Sequence, residues 1–111
     1  MISSKLLLLT ALSCAVPSLA AQKVILYSKE PCTGIAEAIE PNNKCTVVPA
    51  TLKGKVSGAK VPEDIVCNFY NDEKCEDPLW YSMEDPGVCS FSELEIKDKA
   101  VAVLCYDSTK I

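Results

Sequence analysis

The chain has no histidine among its 111 residues, and all eleven basic residues are lysine, so arginine is missing as well. Without an imidazole there can be no Ser–His or Cys–His nucleophilic site. Without arginine's bidentate fork, and with a formal net charge of −4, the composition argues against nucleic-acid binding. The cysteines never fall as C-x-x-C, which together with the missing histidine argues against a zinc site. No N-x-S/T sequon occurs, so no N-linked glycan is expected. No apolar run reaches the ~20 residues that a membrane-spanning helix requires.

What is present begins with a leader. Met1 to Ala20 has a basic start at Lys5, an apolar run from Leu6 to Val16, and small residues at Ser18 and Ala20. That is the form of a secretory signal peptide cut after Ala20. Residues 21–111 are then expected as a single secreted, extracellular domain with no transmembrane anchor, and as a monomer. Removing the leader takes away Lys5 and Cys14, leaving ten basic residues against fifteen acidic ones. The charge is uneven: residues 21–64 carry six lysines and five acids, residues 65–111 four and ten. Six cysteines remain, Cys32, Cys45, Cys67, Cys75, Cys89 and Cys105. An even count in a short secreted chain predicts a disulfide framework, which a small core needs for stability.

The chain says one thing twice. Val24-Ile25-Leu26-Tyr27, a polar turn and Cys32 run in step with Cys67-Asn68-Phe69-Tyr70, a polar turn and Cys75, at an offset of 43 residues. Cys45 and Cys89 lie 44 apart, and Leu52-Lys53-Gly54-Lys55 then matches Ile96-Lys97-Asp98-Lys99. Such self-similarity marks paired supersecondary units. The repeats are placed at about 23–61 and 65–106, with Pro62-Glu63-Asp64 as a short polar linker. The repeat favours one bridge inside each copy, Cys32–Cys45 and Cys75–Cys89. Cys67 and Cys105 are left to pair, because both are valine in the first copy (Val24 and Val61). Bridges joining equivalent cysteines, Cys32–Cys75 and Cys45–Cys89, are the alternative.

Within each copy the composition is that of strands. Residues 23–28, 65–70 and 100–106 are rich in β-branched and aromatic residues. Cys45 to Val48, Val56 to Val61 and Leu79 to Ser82 read as further strands. Ile35 to Glu40 fits either a strand or a helical turn. Turns are predicted at 28–34, 41–43, 71–77 and 84–87, and a short helical turn at 91–96. Short strands at this spacing predict an all-β sandwich.

A pattern inside the first copy adds to this. Tyr27 is followed seven positions later by Gly34, with Ser57 or Gly58 near the last strand. This resembles the Greek key motif of the βγ-crystallins. The resemblance implies a two-motif Greek key β-sandwich, here disulfide-stapled, with two four-stranded sheets. The second copy departs from it, with Asp77 in the glycine position and Val101 or Ala102 in place of the serine. The chain also resembles small secreted cysteine-rich fungal proteins, many of them candidate effectors. Crystallin-like folds occur in yeast killer toxins and plant antimicrobial proteins too. The family's usual ligand is calcium, held by an N/D-N/D-x-x-S/T-S stretch. Asn71-Asp72-Glu73-Lys74-Cys75-Glu76 begins that pattern and ends outside it, so no cofactor or metal is expected.

Carboxylates are the only catalytic chemistry left. Glu73, Glu76, Asp77 and Glu84 are numerous enough for glycoside hydrolysis, but about 90 residues build a shallow surface rather than a cleft, so the chain is not expected to be an enzyme. Matched on the cysteines, Trp80 stands where the first copy has Glu37. Alternation then points it outward, beside the acidic loop of Asp72, Glu73, Glu76 and Asp77. There it could contact a sugar ring or a protein partner; a place capping the core is the plainer alternative. Tyr27 and Tyr70 are expected to pack over their turns. Lys53, Lys55, Lys97 and Lys99 are expected to line one exposed loop. The function this predicts is extracellular binding, that of a fungal effector or virulence-associated protein recognising a host protein or wall glycan in the host apoplast. A killer-toxin-like antimicrobial protein and a calcium-binding crystallin-like protein are the alternatives.

Overall fold

The structure, a computed structural model, describes residues 22–110. The expected signal peptide, 1–20, lies outside the described residues. Eight strands form: β1 Val24–Lys29, β2 Thr33–Ile39, β3 Cys45–Val47, β4 Gly58–Lys60, β5 Ile65–Tyr70, β6 Pro78–Met83, β7 Gly87–Val88 and β8 Ala102–Asp107. Single 3₁₀ turns occupy Phe91–Leu94 and Ser108–Lys110, and no α-helix occurs among the described residues. The fold is an all-β sandwich of two four-stranded antiparallel sheets. The segment at Ile35 to Glu40 falls almost wholly within β2. It forms a strand because it pairs with β1 from Val24↔Ile39 to Tyr27↔Ala36.

The strand orders are β2-β1-β4-β7 and β3-β8-β5-β6. Each sheet therefore takes three strands from one half of the chain and the third strand of the other half. β3 pairs with β8, through Cys45↔Leu104 to Val47↔Ala102, and β7 pairs with β4, through Ala59↔Val88 and Lys60↔Gly87.

This exchange corrects the expected disulfides. The bridges are Cys32–Cys89, Cys45–Cys75 and Cys67–Cys105. The Cys67–Cys105 pairing agrees with expectation. The two within-copy bridges do not form, and neither do bridges between equivalent cysteines. Cys45 leaves its own half on β3 and arrives beside the β5–β6 turn, where it meets Cys75. Cys89, just after β7, meets Cys32 at the β1–β2 turn by the same exchange. Gly58 fits this crossing closely, since a Cβ there would lie 3.3 Å from the Cys32 sulphur and 3.1 Å from the Cys89 carbonyl oxygen.

The core fills the space between the sheets. Val24 and Leu26, Ile65, Cys67 and Phe69, and Val103 and Cys105 alternate inward along their strands. Phe69 meets Phe91 edge to face with ring centroids 5.3 Å apart, and both are fully buried. Each such side chain contributes about 1.5–3 kcal/mol by leaving water. The lysine pairs lie on two segments rather than one loop. The segments are joined reciprocally: Gly54 donates its N–H to the Ala100 carbonyl at 3.2 Å, and Asp98 donates to the Val56 carbonyl at 3.0 Å.

Candidate functional site

The two turns that follow β1 and β5 are built differently. In the first, Ser28 Oγ accepts the Ile35 N–H at 2.8 Å. Gly34 makes this possible with φ +81°, and a Cβ there would fall 2.3 Å from that hydroxyl. In the second, Asp77 replaces the glycine and a carboxylate organises the loop. Asp72 accepts the N–H of Lys74 at 3.2 Å, of Glu76 at 2.9 Å and of Asp77 at 2.9 Å. The Asp77 N–H foremost, with those of Glu76 and Lys74, holds the Asp72 carboxyl below the ordinary aspartate range. Asp72 is thus occupied by its own loop.

The remaining acidic residues divide. Glu73 pairs with Lys53 from the other half. The equivalent Glu30 also reaches across, accepting the Ser92 N–H at 2.9 Å and the Ser92 hydroxyl at 3.0 Å. The Ser92 backbone bond is the main cause that lowers the Glu30 pKa. Asp77 accepts the Asn71 amide at 3.4 Å. Glu76 is exposed and has no hydrogen bond or ion pair through its carboxylate to another described residue.

This donor set does not fit the calcium pattern that the resemblance implied. Asp72 spends its oxygens on backbone N–H groups, and Cys75, in a hydroxyl position of the motif, is tied to Cys45. A hard cation takes about six to eight oxygens. No group of three or more His, Cys, Asp or Glu side chains among the described residues is placed to hold a metal ion.

Trp80 lies on β6, the outer strand of its sheet. It pairs with the buried Phe69 and is 37% exposed, while its neighbour Leu79 packs against the core. The pairing is irregular on both sides of Phe69, and the Ser82 N–H turns to Asn68 Oδ1 at 2.8 Å. This irregularity interrupts the regular alternation along β6. Tyr81 projects further, at 59% exposure, with its ring edge-on to Tyr70 at 6.3 Å. Composition pointed to the tryptophan alone. The signal for Tyr81 was its place beside Trp80, where the first copy has Ala38. Pro78, Leu79, Trp80 and Tyr81 together line a shallow groove of about 340 Å³.

No protein-family model matches the sequence, and no curated protein matches it. The fold is nonetheless similar to solved structures. A βγ-crystallin domain from Clostridium beijerinckii superposes with a TM-score of 0.62 at 16% identity, covering 77% of this chain and 98% of that one. A βγ-crystallin from an archaeon gives 0.60 at 17% identity, covering 74% and 94%. The N-terminal domain of protein S gives 0.59 at 14% identity, covering 77% and 96%. At these identities the likeness is one of fold.

Proposed function

We propose that this is a small extracellular protein that acts by binding rather than by catalysis, with the β6 rim as its contact surface. The observation that carries the reading is the pair Trp80 and Tyr81, exposed side by side on an outer strand beside a stretch rich in carboxylates. Exposed aromatic residues of this kind anchor protein and sugar contacts. Three disulfides are compatible with an extracellular setting, and among the described residues no helix is long and apolar enough to cross a membrane. The finer reading is a fungal effector that recognises a host protein or wall glycan. Its support is the leader-like pattern of residues 1–20, the cysteine density and the absence of histidine.

The test is a pull-down from host extracellular fluid with the oxidised protein and with Trp80→Ala. The expected result is a partner retained by the first and lost by the second. Identical captures would overturn the reading. A killer-toxin-like activity is the second reading. The acidic balance counts against it, since attack on anionic membranes favours basic surfaces. Potent growth inhibition by the purified protein would put it first.

A further inference from the structure

The β6 strand is an open edge whose two ends carry the same charge. Glu76 and Asp77 precede it, and Glu84 and Asp85 follow it. From Cys75 to Ile96 the chain has six carboxylates and no lysine. The ion pairs among the described residues are Lys23–Glu40 and Lys53–Glu73, so none of these four carboxylates is neutralised within the fold. At the far end of the strand, Glu84 and Asp85 face Glu63 and Asp64 across a pocket of about 290 Å³.

These charges choose among the occupants an unpaired edge could take. A second copy is disfavoured. Antiparallel self-pairing centred between Trp80 and Tyr81 would set Glu76 against Asp85 and Asp77 against Glu84. Like charges directly opposite destabilise a ladder, and acidic ends are a known guard against such pairing. A neutral sugar would stack on the aromatic rings and hydrogen-bond to the carboxylates but would leave their charge uncompensated. A peptide bearing lysine or arginine uses both features. Its backbone adds to the strand edge, its cations meet the acidic ends, and a cation can lie on an indole or phenol face.

Resting on the binding reading above, we propose that β6 docks an extended cationic segment of a partner protein, laid along Pro78–Met83 as an added strand with its basic side chains at the two acidic ends. Six residues of β6 span roughly 20 Å, so a partner segment of about six to eight residues covers it.

The probe is a fluorescein-labelled (Lys-Thr)5 peptide, followed by anisotropy at low and moderate salt. The expected result is one-to-one binding, weakened at least tenfold by Glu84→Gln with Asp85→Asn and at least fivefold by Trp80→Ala. A control pair of equal charge change, Glu93→Gln with Glu95→Gln, should leave it unchanged. These positions are exposed, and circular dichroism verifies the folds. Equal weakening by both pairs would reduce the effect to diffuse charge and overturn the proposal. So would undiminished binding of the same peptide N-methylated at alternate residues, which cannot add as a strand. Trp80-dependent binding of N-acetylchitohexaose without binding of the peptide would overturn the cationic partner while sparing the binding reading. A concentration-dependent dimer in place of peptide binding would install the second copy instead.

Discussion

β2 and β6 hold the same position in their sheets, each the outer strand beside the first strand of its half. Leu26↔Glu37 on one side corresponds to Phe69↔Trp80 on the other. Yet β2 carries Ala36, Glu37 and Ala38 where β6 carries Leu79, Trp80 and Tyr81. Glu37 is engaged within the fold, accepting the Thr51 hydroxyl at 2.6 Å. One edge carries small residues at its centre and an internal side-chain hydrogen bond. The other is left broad, aromatic and charged at its ends. A duplicated frame thus presents two different rims, and the difference lies in side chains that the core does not require.

The comparison can be broken first at its supports. Phe69→Ala should cost about 3–5 kcal/mol and Leu26→Ala about 2–5 in chemical denaturation. The Phe69 loss should be the larger of the two, since Phe91 loses its edge-to-face partner. An equal loss would mean that the two halves contribute alike to the core.

The crossed bridges come next. Replacing both cysteines of Cys32–Cys89 by serine should cost about 4 kcal/mol in the chain-entropy account, and the same change at Cys45–Cys75 about 0.5 kcal/mol less. The order follows from their separations of 57 and 30 residues. Mass mapping of non-reduced peptides should recover both crossed pairs. Peptides joining Cys32 to Cys45 would refute the strand exchange.

The two turns should differ in acid. The Asp72 pKa is depressed in the folded state, so its stabilising effect is complete above the ordinary aspartate value and is lost as pH falls through the depressed one. Urea midpoints followed from neutral into acid should therefore fall less steeply for Asp72→Asn than for the parent. Glu30 contributes an acid limb of the same sign through Ser92. It should persist in that variant and shrink in Glu30→Gln.

The smallest effect is at the rim itself. Trp80→Ala should change stability by only about 1 kcal/mol, because the ring is partly in water already. As the sole tryptophan, Trp80 also reports on its surroundings. With each quencher referred to free tryptophan, its fluorescence should be quenched more readily by caesium than by iodide, since the flanking carboxylates attract one and repel the other. Equal quenching would show that the acidic ends do not govern access to the strand.

Much of the fold could be read from the sequence because the two halves must each bury an inward row. Val24 and Leu26 answer to Cys67 and Phe69, and the spacing of the tyrosines and cysteines fixes their register. The bridge pattern could not be read in the same way. An internal repeat says which positions are equivalent, not which are neighbours. Cys45 and Cys89 are equivalent, and each finds its partner only because β3 and β7 cross to the opposite sheet. Nothing in either short strand announces the crossing. Trp80 was found from its mismatch with Glu37. The bulged β5–β6 pairing beside it, which Asn68 helps to hold through Ser82, is not registered by periodicity alone.

The exposed linker at Glu63 and Asp64 acquires a particular meaning from the exchange of strands. A protease that severed the backbone there would release nothing. Residues 22–63 and 64–110 would stay clasped by two covalent ties and by a strand of each woven into the other's sheet. The nicked molecule would keep its shape until its sulphurs were reduced.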